Sequence, residues 1–97
     1  MIQHFVCFKF KDGTSSEAAQ QHLDMFAGLK AKIPQIVDYA GGPVVPGDKK
    51  QFDTAHNVIF KSLDDLAIYI DHADHQHFIE ANKAVWENVL VVDSEIK

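Results

Sequence analysis

The 97-residue sequence predicts a single α+β domain spanning 1–97, an antiparallel sheet with its helices gathered on one face. Three observations predict it. Three segments alternate in hydropathy with period two, a fourth strand segment is expected at 36–40, and helical spacing separates the first strand from the second and the third from the fourth. Gly and Pro punctuate the joins. Finally, the strands are apolar on both faces, while the helices suffice to cover only one.

Residues 2–10, IQHFVCFKF, place Ile2, His4, Val6, Phe8 and Phe10 on one face and Gln3, Phe5, Cys7 and Lys9 on the other. Their aromatic and β-branched content suits a strand. Asp12-Gly13 breaks it. Thr14 and Glu17 have capping-box spacing, so a helix is expected from about Ser15. Leu23, Met25, Phe26, Leu29 and Ile33 recur along it, and Pro34 stops it because the residue before a proline avoids the α region. A second strand is expected from Ile36 to Ala40, ended by Gly41-Gly42-Pro43. The stretch 43–53, with Pro46-Gly47-Asp48, is the long loop, a type that often carries function.

A third strand, 54–61, sets His56, Val58 and Phe60 against Ala55, Asn57, Ile59 and Lys61. Ser62 with Asp65 caps a helix that reaches about Ile70, Asp71 to His75 interrupts it, and helix resumes over 76–88. The last strand, 89–94, turns Val89, Val91 and Asp93 one way and Leu90 and Val92 the other. The order β-α-β-β-α-β is the split-βαβ, ferredoxin-like arrangement, with strands ordered 4-1-3-2. Phe5, Cys7, Ile59, Leu90 and Val92 are expected on the helix-free face, and a second copy stacked sheet on sheet is the expected partner.

Nine Lys and Arg against fourteen Asp and Glu leave a net charge of −5, which argues against nucleic acid and against anionic membrane surfaces. No apolar run approaches the ~18 residues of a membrane span, and the N-terminus lacks a signal-peptide pattern. A single cysteine, Cys7, rules out an intrachain disulfide and a Cys-based zinc site, so a cytoplasmic location is expected.

Six histidines in so short a chain are the unusual feature. His4 and His56 open strands 1 and 3 on the helix-facing side. With those strands read as parallel neighbours, and Asp93 near the end of strand 4, the three are expected to converge at one end of the sheet. Such a cluster serves equally as structure, since a buried carboxylate requires partners. Tyr69-Ile-Asp-His72-Ala-Asp-His75-Gln-His77 places three more histidines at the helix break. Imidazole exchanges protons near neutral pH, and a tyrosine hydroxyl beside it can hold a developing oxyanion. His72 and His77 serve equally well as helix caps or water-facing groups.

His72-x-x-His75 lacks the glutamate and spacing of a zincin, whereas His4, His56 and Asp93 would form a facial set of two histidines and a carboxylate. No metal and no cofactor is expected. A Gly-x-Ser-x-Gly elbow and a phosphate loop are both absent from the sequence, and Cys7 faces away from the histidines.

The opening Ile2-Gln-His4-Phe-Val-Cys-Phe-Lys-Phe-Lys11, the helix end Lys32-Ile33-Pro34, the Tyr69-x-x-His72-x-x-His75-x-x-Phe78 stretch, Trp86 and the strand ending in Asp93 together resemble the stress-responsive A/B-barrel domain family. This family, also called Dabb or dimeric α+β barrel, is resembled across essentially the whole chain. The resemblance implies a ferredoxin-like protomer whose sheet packs on that of a partner. The fold is shared with cofactor-free monooxygenases, and a plant branch of the family catalyses polyketide cyclisation, an aldol-type condensation between sheet and helices. By position, the resemblance implies His75 as catalytic histidine, Tyr69 as pocket tyrosine and His4 as the strand-one histidine. Trp86, Val89, Val91 and Asp93 would line the pocket, and His56, His72, Phe26 and Val58 complete the candidate binding set. Two positions depart from that branch: Phe26 replaces a tyrosine, and His56 replaces an apolar residue.

Three functions follow as expectations. The first is a cofactor-free lyase or cyclase of a small carbonyl compound, polyketide-like, with His75 as base. The second is a non-catalytic dimer, stress-associated or binding a small ligand. The third is a cofactor-free monooxygenase.

Overall fold

Strand β1 (Ile2–Phe10) runs through the middle of a four-stranded sheet, between β3 (Thr54–Phe60) and β4 (Trp86–Glu95), with β2 (Ile36–Pro43) beyond β3. The computed structural model describes residues 1–47 and 51–97. Asp48 and the tip of the expected 43–53 loop therefore lie outside the described residues.

The strand order is the expected one, and every pairing is antiparallel. The expected parallel pairing of strands 1 and 3 is therefore incorrect. A helical crossover leaves β2 parallel to β1, and the return from β2 then reverses β3 relative to both. The register follows: His4 pairs with Val58 and Asp93, whereas His56 pairs with Val6. His56 is thus two residues further into the sheet than expected.

Helix α1 (Ser16–Lys32) is capped by Ser15, whose Oγ accepts from Ala18 N at 3.1 Å. The cap sits one residue later than the Thr14 spacing suggests, because the Thr14 hydroxyl instead donates to Lys11 O at 2.7 Å. Ser62 caps α2 (Leu63–Asp71), accepting from Asp65 N at 3.2 Å. His72 then ends α2 with its own N–H on Tyr69 O and starts α3 (Ala73–Asn82), its Nδ1 accepting from Asp74 N at 3.1 Å. One residue thus makes the corner.

The helix expected over 76–88 is corrected at both ends. It starts at Ala73, stops at Asn82 and yields to a 3₁₀ turn, Lys83–Val85. Pairing of Phe10 with Trp86, and the Lys11 N–H on Val85 O at 2.8 Å, draw residues with helical periodicity into the sheet edge. β2 also runs three residues beyond its expected end. At Gly41 a Cβ would stand 2.5 Å from Tyr39 Oη and 2.7 Å from His56 Nδ1, a close approach that glycine permits.

The core fills the space between the sheet and the helices, built on Val6, Phe8, Phe26, Leu29, Ile33, Val58, Phe60, Leu66, Tyr69 and Phe78. The opposite sheet face has no helix. The register puts Phe5, Cys7, Asn57, Ile59, Leu90 and Val92 there. Phe5, Leu90 and Val92 are 37–47% exposed, while Cys7 is covered by its neighbours. Gln3 Nε2 donates to Ser94 Oγ at 3.0 Å at one end of this face. No helix among the described residues is long and apolar enough to cross a membrane.

Candidate functional site

The edge strand β4 extends past the cover of the helices, and a cavity of about 270 Å³ opens between it, α2 and α3. That volume is close to the lower limit of typical small-molecule sites, roughly 300 Å³. β1 supplies His4, Val6 and Phe8; α1 supplies Phe26; α2 supplies Tyr69 and Ile70; α3 supplies His75, Phe78 and Ile79; β4 supplies Trp86, Val89, Val91 and Asp93. Among the described residues, no Lys or Arg lines it.

Two histidines are held in defined tautomers. His4 Nδ1 lies 2.5 Å from Asp93 Oδ1, a pair that the antiparallel register of β1 and β4 sets side by side. A carboxylate only accepts, so Nδ1 carries the hydrogen, and in the neutral ring the lone pair is on Nε2. His75 Nδ1 lies 3.0 Å from Ile70 O. A carbonyl likewise only accepts, so in the neutral ring the basic nitrogen is again Nε2. Burial lowers the pKa of His75, and the nearby His4 and His72 lower it further against the opposing effect of the Ile70 carbonyl. At neutral pH His75 is therefore an unprotonated base.

Tyr69 is fully buried, its ring 4.4 Å from that of His75 and 5.7 Å from that of His4. Its hydroxyl has no partner among the described residues. Burial, with Tyr39 adding to it, raises the phenol pKa, so the group stays a donor. Trp86 Nε1 is a second buried donor without a protein acceptor. An unpaired buried donor costs about 1–3 kcal/mol, so two of them around one cavity point to a ligand that accepts.

Other sequence-derived candidates fall elsewhere. His56 does not join His4 and Asp93. It lies behind the cavity wall, stacked on Phe26 at 4.1 Å, with Nδ1 2.7 Å from Tyr39 Oη and Nε2 3.0 Å from Thr54 Oγ1. The expected three-residue convergence is thus reduced to the His4–Asp93 pair, and the facial metal set is not assembled. Among the described residues, no group of three or more His, Cys, Asp or Glu side chains could hold a metal ion. Val58 is buried in the core and is also absent from the cavity lining. His72 serves as a helix cap outside the cavity, and His77 is exposed.

Sequence reasoning overlooked Ile70, whose carbonyl orients His75. The signal was the corner at His72, which folds residue 75 back over the last turn of α2. It also overlooked His22, a fully buried residue of α1 with neither ring nitrogen hydrogen-bonded.

The profile of the Stress Responsive A/B Barrel Domain (Dabb) family matches residues 2–96. Olivetolic acid cyclase of Cannabis sativa is 27% identical over 94 residues, covering 95% of this chain and 93% of the cyclase. Hydroxynitrile lyase from Passiflora edulis superposes with a TM-score of 0.88 at 17% identity, covering 99% of this chain and 93% of the lyase. A protein of unknown function from Thermobifida fusca, described as dimeric and ferredoxin-like, also reaches 0.88, at 22% identity, covering 98% of this chain and 90% of the other.

Proposed function

The chain belongs to the stress-responsive A/B barrel domain family, and on that premise we propose that it is a cofactor-free lyase or cyclase acting on a small carbonyl compound. One observation carries the reading: His75, with Nδ1 committed to Ile70 O, has its ring 4.4 Å from that of Tyr69, whose buried hydroxyl has no partner among the described residues. In the proposed reaction Nε2 of His75 takes a proton from the carbon next to the carbonyl. The C–H electron pair moves into the new C=C bond as the carbonyl π pair moves to oxygen, and the Tyr69 O–H donates to the resulting enolate. In a cyclisation the enolate carbon attacks a second carbonyl, and the alkoxide formed takes the proton from His75. In the lyase direction the enolate pair re-forms the C=O as a Cα=Cβ bond forms, and the β-substituent leaves with its bonding pair and takes that proton. His4, oriented by Asp93, relays protons by accepting and releasing them at Nε2. The cyclase that this chain resembles over most of its length supports the reading.

The direct assay is proton exchange from D₂O into the α-carbons of benzylacetone, a neutral methyl ketone, followed by NMR. The wild type should exchange above the buffer rate, and Tyr69→Phe should lower that rate about 10²-fold, the usual loss of one oxyanion donor. Exchange equal to buffer would refute the proposal. A ligand-induced rise in melting temperature without exchange would then favour the non-catalytic binder, and oxygen uptake with phenols the monooxygenase.

The proposal includes a homodimer through the helix-free sheet face, supported by the exposure of Phe5, Leu90 and Val92 and by the dimeric description of the Thermobifida fusca neighbour. Leu90→Lys should convert the dimer to monomer in light scattering, and an unchanged mass would count against this interface. The free thiol of Cys7 suits a reducing, cytoplasmic compartment.

A further inference from the structure

Trp86 holds an indole N–H that none of the described residues accepts. Nε1 is buried and has no acceptor, although the ring lines the cavity. Its position along the cavity is informative. β4 pairs Asp93 with His4 and Trp86 with Phe10, so the two cavity ends are separated by six residues of β1, about 20 Å of backbone. The Tyr69 ring sits beside His4 and His75 at the first end. The indole packs instead on Phe8 at 5.0 Å and Phe78 at 6.0 Å. Because the Trp86 ring lies against Phe8 rather than its pairing partner Phe10, the indole is nearer His4 than the backbone pairing implies, and Val6, Phe8, Val89 and Val91 make the stretch between apolar.

From this we infer that the site takes a ligand with two separated acceptors. One is the carbonyl that reacts between His75 and Tyr69. The other is a remote uncharged oxygen that accepts from Trp86 Nε1 across an apolar spacer. This rests on the proposed reading of His75 and Tyr69 for the reacting end and adds a specificity-determining contact at the other. With no Lys or Arg among the described lining residues, the remote group is an ether, hydroxyl or ketone rather than a carboxylate or phosphate. An apolar tail at that end would leave the indole donor buried and unpaired, so discrimination against it is built in.

The chain has one tryptophan, so its indole N–H gives one NMR resonance that reports on this contact alone. The probes are anisylacetone and benzylacetone, methyl ketones that differ by a para-methoxy group at the end far from the carbonyl. Anisylacetone should bind about ten-fold more tightly to the wild type and move the indole proton downfield, while benzylacetone should not move it that way. Trp86→Phe keeps an aromatic wall, and in it the two affinities should converge. Equal affinities in the wild type, or anisylacetone binding without a downfield indole shift, would overturn the inference. So would unchanged discrimination in a folded Trp86→Phe variant. If those results came with His75-dependent exchange of both ketones, the contact would fall and the proposed reaction would stand. Binding of neither ketone would overturn both.

Discussion

Replacing His75 by alanine is expected to lower α-proton exchange by about 10²–10⁴-fold, the range by which a positioned general base accelerates such a step. The expectation rests on hydrogen-bond roles rather than on proximity alone. The Ile70 carbonyl takes the Nδ1 hydrogen, so the lone pair can only be on Nε2 of the neutral ring. The variant should still fold, because the lost hydrogen bond contributes only about 1 kcal/mol net. A melting curve close to that of the wild type makes the kinetic loss interpretable.

The pH profile supplies an independent check. Burial and the neighbouring histidines lower the pKa of His75, so the exchange rate should be flat around neutrality and fall on acidification with a midpoint below the ordinary 6.5. That limb should vanish in His75→Ala. Full exchange in the variant, or an acid limb that survives there, would remove His75 from the base role and leave His4 as the group to test.

How far the sequence is readable differs from element to element, and the reason is physical. β1 is readable because period-two alternation is local, and the Ser62-to-Asp65 cap is readable because it involves four consecutive residues. The neighbouring placement of His4 and Asp93 follows from two alternating strands and one antiparallel pairing. The start of β4 is not readable in this way. Val85 and Trp86 continue a helical spacing, and only their bonds to β1 recruit them to the sheet.

His56 was misplaced by a single error of strand direction, which displaced it from the site. His22 was overlooked for a different reason. A histidine interrupts the hydropathy pattern of α1, yet Phe8, Phe10, Phe78 and Trp86 enclose its ring as they would a phenylalanine. Side-chain bonds such as His75 to Ile70 depend on the angle at which two helices meet, and no spacing in the sequence encodes that directly.

His22 and His56 lead to the second large expectation, loss of stability in mild acid. Both are essentially inaccessible, their rings 6.3 Å apart, and burial lowers each pKa to about 4, with His22 further depressing His56. The unfolded chain binds protons at these residues near the ordinary 6.5, so below that pH it holds more protons than the folded state. Stability should therefore be insensitive to these groups above pH 6.5 and fall steadily between 6.5 and 4.

Treated independently, each histidine contributes a loss of up to about 3 kcal/mol across that window, against a total of roughly 5–15 kcal/mol for a typical domain. Denaturant melts at several pH values would measure it, and His22→Phe isolates one contributor while leaving every carboxylate in place. The phenyl ring removes two unpaired buried nitrogens, so the variant should be more stable in acid and should show a shallower slope between pH 6.5 and 4. The His56 ring, hydrogen-bonded to Tyr39 and Thr54, and the partly buried His75 should contribute to the slope that remains. A wild type equally stable at pH 7 and pH 5, or a His22→Phe variant with an unaltered slope, would show that these rings do not resist protonation as their burial requires.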